Sequence, residues 1–230
     1  MRYNHYPTGK LYVYYSKDQT NQSSPAVIFF FGGGWNSGSP KQFESQASYL
    51  NKYGVTVVLA DYRTQKNAGT TPKEALMDAK SAMRYLKQHA MSIHVDPDKI
   101  LAGGGSAGGH LAAATAFCHQ INNPEDDLNV SSIPKALILF NPVIDNGPHG
   151  YGFDRVKDYY RDFSPIPLSR SSAALPCSRR QACPARWQAW AQPLPASLSL
   201  PCCAACCATQ SRPPTTDKQR AEHKRAPSQA

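Results

Sequence analysis

The stretch that most constrains this chain is a run of eight residues at 103–110, with the sequence GGGSAGGH. A mostly apolar run at 99–102 precedes it, and good helix formers at 111–117 follow it. This order predicts a strand, a tight turn with a serine at its tip, and a helix. Only small residues fit beside such a serine, because the turn is strained and the helix passes close to the strand.

The serine, Ser106, stands in a G-x-S-x-G pattern with Gly104 and Gly108. This pattern is typical of a nucleophile elbow, in which the turn lifts a reactive hydroxyl above the edge of a sheet. The N-terminus of the following helix would then lie beneath any negative charge that develops there. The sequence therefore predicts Ser106 as a nucleophile, with Gly104 and Gly108 as the small residues of the elbow.

A second interpretation uses the same residues. Gly103, Gly105 and Gly108 also spell G-x-G-x-x-G, and the acidic residues at 125–127 lie near the distance of a ribose-binding acid. Two observations count against a dinucleotide loop. Such a loop usually follows the first strand of its unit, whereas strand–helix units precede this one, and the acidic cluster has the composition of a loop. The elbow is the preferred interpretation.

A glycine stretch at 32–34, followed by Trp35, comes directly after a continuous apolar run at 26–31. Such a run predicts a strand that is buried on both faces. Taken alone, the glycines fit a flexible loop equally well. Upstream of an elbow, they favour backbone N–H groups that approach a ligand closely, as an acyl-transfer enzyme needs for its oxyanion.

The rest of the first 166 residues alternates between strand and helix patterns. Further strands are predicted at 11–15, 55–60 and 136–140, the last two of them buried, and an Asp-Pro-Asp break is predicted at 96–98. A helix is predicted at 40–52 with Gly54 after it. Another follows a capping box at 71–74 and turns Lys80, Arg84 and Lys87 outward. This alternation predicts a mostly parallel sheet with helices on both faces, and a site at the carboxyl ends of its strands.

Four motifs resemble the hormone-sensitive-lipase-like esterase group of α/β-hydrolases. They are FFGGGW at 30–35, ADYR at 60–63, DPDKI at 96–100 and GGSAGGH at 104–110. Segments 153–157 and 163–166 are similar to the part of such esterases that follows the sixth strand. The resemblance covers about residues 10–166. The chain departs from it at Phe31, where many relatives have histidine, and in a shorter sequence before Leu11.

The resemblance implies an α/β-hydrolase fold and the hydrolysis of small-molecule esters, with short acyl chains as the expected substrates. Ser106 would attack the acyl carbonyl, and backbone N–H groups of Gly32 or Gly33 and of Ala107 would hold the oxyanion. Water would then release the acyl-enzyme with the help of a histidine and an aspartate. This chemistry needs no metal ion and no organic cofactor.

Residues 167–230 differ sharply in composition from the rest of the chain. They contain 9 prolines but no Gly, Val, Ile, Phe, Tyr, Met or Asn, and all 15 glycines precede them. Without β-branched aliphatic residues they are not expected to supply the strands and catalytic residues that complete the fold. We therefore expect an incomplete α/β-hydrolase domain at 1–166, lacking the C-terminal strands. The tail at 167–230 is expected to be disordered or translated out of frame.

The formal charge of +9 does not predict a nucleic-acid partner, because residues 1–166 carry only +2 and the tail carries +7. No run of about 18 apolar residues predicts a membrane span. No signal peptide is visible, which leaves the cytoplasm by default, or secretion if the N-terminus is incomplete. Six of the 7 cysteines lie in the tail, where C-x-x-C pairs at 202–207 overlap and lack a separated second pair of zinc ligands.

A serine nucleophile needs a base, and the sequence does not identify it. His149 follows the strand at 136–140, with Asp145 or Asp154 as possible partners, although an exposed loop histidine is the favoured interpretation. His110 is expected to pack or cap below the elbow. His89 and His94 lie at the end of the preceding helix, and His223 lies in the tail. The alternative function is an impaired remnant that binds small acyl ligands without catalysis.

Overall fold

The computed structural model describes residues 1–15 and 23–166, and the expectations for residues 167–230, including His223 and the tail cysteines, lie outside them. Five strands form one sheet: β1 (Leu11–Tyr14), β2 (Ser24–Phe30), β3 (Thr56–Ala60), β4 (Val95–Gly105) and β5 (Leu137–Phe140). Their spatial order is β1-β3-β2-β4-β5. The described helices are α1 (Glu44–Leu50), α2 (Gln65–Ala68), α3 (Pro72–Gln88), α4 (Ala107–Phe117), α5 (Phe153–Val156) and α6 (Tyr160–Phe163).

The sheet is mostly parallel, as the alternation of strands and helices predicts. β2 pairs in parallel with β3 and β4, and β4 pairs in parallel with β5, whereas β1 is antiparallel to β3. Phe30, at the end of β2, is paired with Gly104 near the end of β4. The glycine stretch at 32–34 and Ser106 therefore meet at the same edge of the sheet.

Helices cover both faces of this sheet. α3 and α4 pack on one face and α1 packs on the other. Because successive side chains of a strand point to opposite faces, Ile28 joins the core with α3 and α4 whereas Phe29 joins the core with α1. The predicted mostly parallel sheet with helices on both faces is confirmed. Among the described helices, none has both the length and the apolar character to cross a membrane.

The helix predicted at 40–52 consists of three pieces: a 3₁₀ turn at Pro40–Phe43, then α1, then a second 3₁₀ turn at Asn51–Tyr53. Gly54 ends it in the left-handed conformation with φ of 78°, which favours glycine. Phe43 and Ala47 are buried against the sheet. The first turn of this segment lies next to the candidate site.

α3 begins as the sequence predicts. The hydroxyl of Thr71 accepts a hydrogen bond from the N–H of Lys73, and the carboxylate of Glu74 accepts one from the N–H of Thr71. Pro72 occupies the first helical position, where its missing N–H is not needed. The apolar side chains of α3 that face the sheet are buried, namely Ala75, Leu76, Ala79, Met83 and Leu86.

The prediction that Lys80 and Arg84 point outward is wrong. Both are buried, because the chain from Cys118 onward folds over this side of α3. Lys80 Nζ donates to the carbonyl oxygens of Cys118 and Ile121 at 2.6 and 2.7 Å. Burial lowers the pKa of Lys80 to about 8. Helical periodicity cannot anticipate a later loop that covers a charged face.

The predicted break at 96–98 is also wrong, because β4 runs through it from Val95 to Gly105. The pairing with β2 shifts in register here: Ser24 lies opposite Val95, whereas Ala26 lies opposite Ile100. Asp96 to Lys99 therefore form an irregular stretch of the strand. A bulge tolerates Pro97 because its missing N–H is not required by the ladder.

β5 was expected to be a buried strand, and the structure corrects this. Leu139 and Phe140 are 36% and 46% exposed. Within the described residues β5 is the last strand of the sheet and pairs only with β4. An apolar run alone cannot distinguish a central strand from one at the edge.

A buried ion pair joins the end of β3 to α3. The carboxylate of Asp78, which is fully buried, accepts hydrogen bonds from Nε and Nη2 of Arg63, the shorter at 2.7 Å. It also accepts one from the backbone N–H of Arg63 at 2.9 Å. The guanidinium lies 4.0 Å from the centre of the Tyr6 ring, on its face. The pair fixes the chain where it leaves β3.

We expect Asp78→Ala to lower the free energy of unfolding by about 3–5 kcal/mol, because it leaves the Arg63 guanidinium buried without its partner. Asp158→Ala, at an exposed carboxylate, serves as the control and should change it by less than about 0.5 kcal/mol. Urea unfolding followed by circular dichroism measures both. A loss below about 1 kcal/mol for Asp78→Ala would mean that the pair behaves like a surface salt bridge.

Candidate active site

Ser106 lies between β4 and α4 in a strained backbone conformation, with φ of 52° and ψ of −118°. A positive φ is uncommon for a residue other than glycine and indicates a constraint imposed by the surroundings. The N–H of Ser106 donates to Phe140 O at 3.0 Å, and its carbonyl oxygen accepts from the N–H groups of His110 and Val143. The backbone is thus held from three sides while the residue remains exposed to solvent.

The glycines of the elbow are required by space. A Cβ atom on Gly108 would overlap the carbonyl oxygens of Phe30 and Phe31 at the end of β2. One on Gly104 would lie 2.6 Å from Phe30 O and would overlap the carbonyl group of Gly108. α4 therefore crosses the sheet with backbone against backbone, which is the close approach that the sequence pattern predicts.

The acids of the dinucleotide interpretation have another role. Asp126 accepts hydrogen bonds from Ser81 Oγ at 2.7 Å and from Arg84 Nη1 at 2.6 Å. These contacts tie the loop after α4 to α3. The carboxylate is therefore used inside the fold and does not extend from a strand end toward the glycines.

The glycine stretch lies directly beside the serine. A Cβ atom built on Gly32 would be 3.4 Å from Cβ of Ser106 and 2.8 Å from the carbonyl oxygen of Gly105. Gly33 has φ of 131°, and a side chain there would overlap the carbonyl oxygen of Ser37. The tight course of the loop next to Ser106 therefore needs glycine at both positions.

The predicted oxyanion donors differ in whether they are already bonded. The N–H of Gly32 donates to Oε1 of Gln42 at 2.5 Å. Within the described residues, the N–H groups of Gly33 and Ala107 have no hydrogen-bond partner. Of the predicted set, Gly33 and Ala107 are therefore available to an incoming oxyanion, whereas Gly32 is occupied by a side chain.

Other parts of the loop are held by distant elements. The Tyr62 hydroxyl donates to Phe31 O at 2.7 Å, and the two rings stack 4.0 Å apart. Arg155 Nη1 donates to Gly34 O at 2.6 Å. Phe31, which departs from the histidine of many relatives, is thus fixed by ring stacking and by the hydrogen bond to its own carbonyl oxygen.

His110 is a packing residue, as expected. It is fully buried, its Nε2 bonds the carbonyl oxygen of Phe163 at 2.9 Å, and its ring packs against Trp35 and Phe163. Burial lowers its pKa to about 4, so the imidazole is neutral near pH 7. Its Nδ1 is buried and has no partner among the described residues. The ring is therefore enclosed in the core, between Trp35 and Phe163.

The other described histidines do not bond Ser106. His149 is exposed in the loop after β5, and Asp145 and Asp154 are exposed as well. The Asp145 carboxylate accepts the N–H of Gly147 at 2.8 Å. His89 Nδ1 lies 2.9 Å from the carbonyl oxygen of Tyr85. Within residues 1–15 and 23–166, no histidine therefore has the hydrogen bond to Ser106 that would mark it as the base.

Metal ligands are not grouped in this part of the protein: no cluster of three or more His, Cys, Asp or Glu side chains could hold an ion in the described ranges. Cys118, the one cysteine there, is buried, and its Sγ donates to the carbonyl oxygen of Phe163 at 3.3 Å. Burial raises its pKa to about 12. It is an inert core thiol at neutral pH.

Comparison with known proteins agrees with this architecture. The described residues have the fold of an α/β-hydrolase. Solved structures of esterase 2 from Thermogutta terrifontis superpose with a TM-score of 0.68 at 39% identity, covering 73% of this chain and 65% of that one. A probable carboxylic ester hydrolase, LipM, of Mycobacterium tuberculosis is 33% identical over 96 residues, which are 41% of this chain and 22% of LipM. An arylesterase of Saccharolobus solfataricus is 30% identical over 145 residues, covering 59% of this chain and 47% of the arylesterase.

The match to a family is wide enough to decide membership. Residues 11–150 match the BD-FAE family, so the chain belongs to that family of hormone-sensitive-lipase-like esterases and lipases. This confirms the resemblance drawn from the motifs. The chain spans less than two thirds of the length of these relatives, from 22% of LipM to 65% of esterase 2.

We expect Gly108→Ala to lower the free energy of unfolding by at least about 2 kcal/mol, because the methyl group would overlap the backbone of β2. Gly105→Ala is the matched control, since its nearest neighbour outside the adjoining residues would be Phe43 Cζ at 3.6 Å. That change should cost less than about 1 kcal/mol. Thermal and urea unfolding compare the two, and equal losses would contradict a backbone contact at Gly108.

We expect His110 to make stability depend on pH between 6.5 and about 4. The unfolded residue takes up a proton below 6.5, but the buried residue stays neutral until about pH 4. The free energy of unfolding is therefore not reduced by His110 above pH 6.5. It decreases as the pH falls from 6.5 to about 4, by about 3 kcal/mol in all.

Urea unfolding gives the free energy of unfolding of the protein and of His110→Gln at each pH from 4 to 7.5. The difference between the two pH dependences is the contribution of His110. If the variant does not fold, proton uptake on unfolding of the unaltered protein at pH 5.5 provides the same information. Parallel curves, or no uptake by His110, would contradict a neutral buried imidazole.

Proposed function

We propose that this chain is a serine carboxylic-ester hydrolase by descent, with Ser106 as the nucleophile. The observation that carries the proposal is the strained, solvent-exposed Ser106 lying beside two unbonded backbone donors, Gly33 and Ala107. A serine that reacts with an acyl carbonyl needs both access and an oxyanion site, and this arrangement can supply both. The BD-FAE family and its esterase relatives support the same reaction class.

The proposed reaction proceeds through an acyl-enzyme. Ser106 Oγ gives up its proton to a base and forms a bond to the acyl carbon while the carbonyl electron pair moves to oxygen, and the N–H groups of Gly33 and Ala107 hold that charge. The tetrahedral intermediate then collapses, and the bond to the alcohol oxygen breaks as this oxygen takes up a proton. Water repeats the attack and releases the acid. Each step moves a proton, which is why a base is needed for rapid turnover.

The relatives' names suggest the size of the acyl group. Structures of Thermogutta terrifontis esterase 2 are described with propionate and with butyrate bound, and others are phosphonylated by sarin or phosphorylated by paraoxon. By analogy, we propose short-chain esters as the substrates of this chain. We also propose that organophosphorus reagents react at Ser106.

A second candidate function is a non-catalytic protein that keeps the nucleophile and binds small acyl ligands. The observation that favours it is the lack of a histidine bonded to Ser106 among the described residues. An enzyme without its base retains some acceleration from the oxyanion site and binding, on the order of 10³-fold over water. The two candidates therefore differ in turnover, whereas Ser106 is the residue labelled in both.

We expect a fluorophosphonate to label Ser106 slowly and with a stoichiometry of one. The bond from Oγ to phosphorus forms as fluoride leaves and the hydroxyl proton passes to water. Fluoride needs no proton, so labelling proceeds without a general acid, but it is slow because no base takes the proton of the hydroxyl. Intact mass and peptide mapping measure the rate and the site. Ser106→Ala should abolish labelling, whereas Ser131→Ala, at another exposed serine, should leave it unchanged.

Labelling of another residue would contradict the proposed nucleophile. Hydrolysis of p-nitrophenyl acetate by the same preparation separates the two candidates. Weak or undetectable turnover with clean labelling of Ser106 favours the impaired protein. Robust turnover lost in His149→Ala would identify His149 as the base, and robust turnover kept in that variant would direct the search to residues outside the described ranges.

A further inference from the structure

The side chain of Gln42 reaches the candidate oxyanion site from outside the two glycine motifs. Its Oε1 accepts the N–H of Gly32 at 2.5 Å, across ten residues of chain. A Cβ atom on Gly32 would lie 3.5 Å from the same oxygen and 3.4 Å from Cβ of Ser106. Gln42 therefore holds the glycine loop on the side that borders the serine.

The position of Gln42 is itself fixed. It lies in the 3₁₀ turn Pro40–Phe43, whose start is capped by the Ser39 hydroxyl, and its own N–H donates to the carbonyl oxygen of Ser39 at 3.1 Å. The next residue, Phe43, is buried and stacks on Phe29 of β2, with ring centres 4.7 Å apart and planes within 5°. The turn is thus anchored to the strand from which the glycine loop emerges, and the carboxamide is presented to Gly32 by a rigid support.

The loop needs such a support because its glycines have wide conformational freedom. Gly33 and Gly34 both have positive φ, and a peptide unit between glycines can rotate without steric penalty. Tyr62 bonds Phe31 O, Arg155 bonds Gly34 O, and the carbonyl oxygen of Gly33 accepts the N–H groups of Asn36 and Ser37. The contact with Gln42 is the one described bond that takes the N–H of Gly32. It fixes the Phe31–Gly32 peptide unit, whose carbonyl oxygen Tyr62 also holds, and this unit adjoins the one that carries the N–H of Gly33.

We propose that Gln42 is a positioning residue for the oxyanion site: its carboxamide takes the N–H of Gly32 and thereby directs the N–H of Gly33 toward the oxygen of a substrate bound at Ser106. Gly32 then acts as an attachment point and not as a donor to substrate. A neutral amide suits this place, since it accepts the bond without setting a negative charge against the developing oxyanion. The inference rests on the proposed function of Ser106.

The test replaces Gln42 with methionine, which has a similar length and helix propensity but a weak acceptor. Gln46→Met is the matched control, because Gln46 lies one turn further on, lines a separate apolar cavity and makes no bond to the loop. Two quantities are measured in each protein. One is the second-order rate constant for fluorophosphonate labelling of Ser106, and the other is the hydrogen-exchange rate of the Gly32 amide by NMR.

We expect Gln42→Met to lower the labelling rate constant about tenfold, less than the 10²–10³-fold that follows removal of a whole oxyanion donor. The Gly32 amide should exchange about three- to tenfold faster, since one hydrogen bond is lost. Gln46→Met should match the unaltered protein in both. Gln42→Glu, whose carboxylate can accept the same bond, should keep the slow exchange of Gly32, which a general loss of stability would not allow.

The outcomes separate the two proposals. If Ser106 of the unaltered protein is labelled and Gln42→Met reacts at the same rate, the positioning role is overturned while the nucleophile stands. A faster rate in Gln42→Met also overturns it, and would make Gln42 a competitor for the oxyanion site. If Ser106 is not labelled at all, the proposed function fails. The hydrogen-exchange rate alone then tests the contact between Gln42 and Gly32. Faster exchange of the Gly32 amide in Gln42→Met supports this contact, and unchanged exchange overturns it.

Discussion

The structure depends on one close contact, the passage of α4 across the ends of β2 and β4 with backbone against backbone. Gly104 and Gly108 make it possible, because a single added carbon at either would overlap a peptide group. The contact forces Ser106 into a positive φ and turns the residue toward solvent. It also brings the end of β2, and therefore the glycine stretch, against the serine. Strain at Ser106 and access to its side chain thus have the same origin.

The glycine stretch is held differently. Its glycines allow the tight course beside Ser106 but do not enforce it, so the loop takes its shape from side chains of other elements. Tyr62 after β3 and Gln42 before α1 bond the two ends of the Phe31–Gly32 peptide group, and Arg155 on α5 bonds the carbonyl oxygen of Gly34. The site is therefore built from two kinds of part: an elbow that is rigid because of its own sterics, and a loop that is rigid because of its neighbours. Changes in distant side chains should act on the second and spare the first.

Burial of charged groups supports this frame. The Asp78–Arg63 pair ties the end of β3 to α3, next to Tyr62, and Lys80 and Arg84 bind the chain that leads from α4 to β5. Lys80 and Arg84 serve there because the segment that they bind is a loop, whose carbonyl oxygens must be satisfied once they are covered. His110 shows the opposite solution, a neutral ring enclosed by Trp35 and Phe163 beneath the elbow.

The sequence alone determined most secondary-structure elements and the motifs that depend on neighbouring residues. Glycine spacing predicted the elbow, capping residues predicted the start of α3, and the alternation of patterns predicted a mostly parallel sheet, because each depends on a few neighbouring residues. Only the tertiary structure decided what depends on distant parts of the chain. It buried Lys80 and Arg84 under a later loop, left Phe140 exposed on a strand that no described strand covers, and carried β4 through Asp96–Asp98 by a shift in register. It also gave the N–H of Gly32 to Gln42, leaving Gly33 and Ala107 as the open donors, since a hydrogen bond across ten residues of turn and helix has no signature in local sequence.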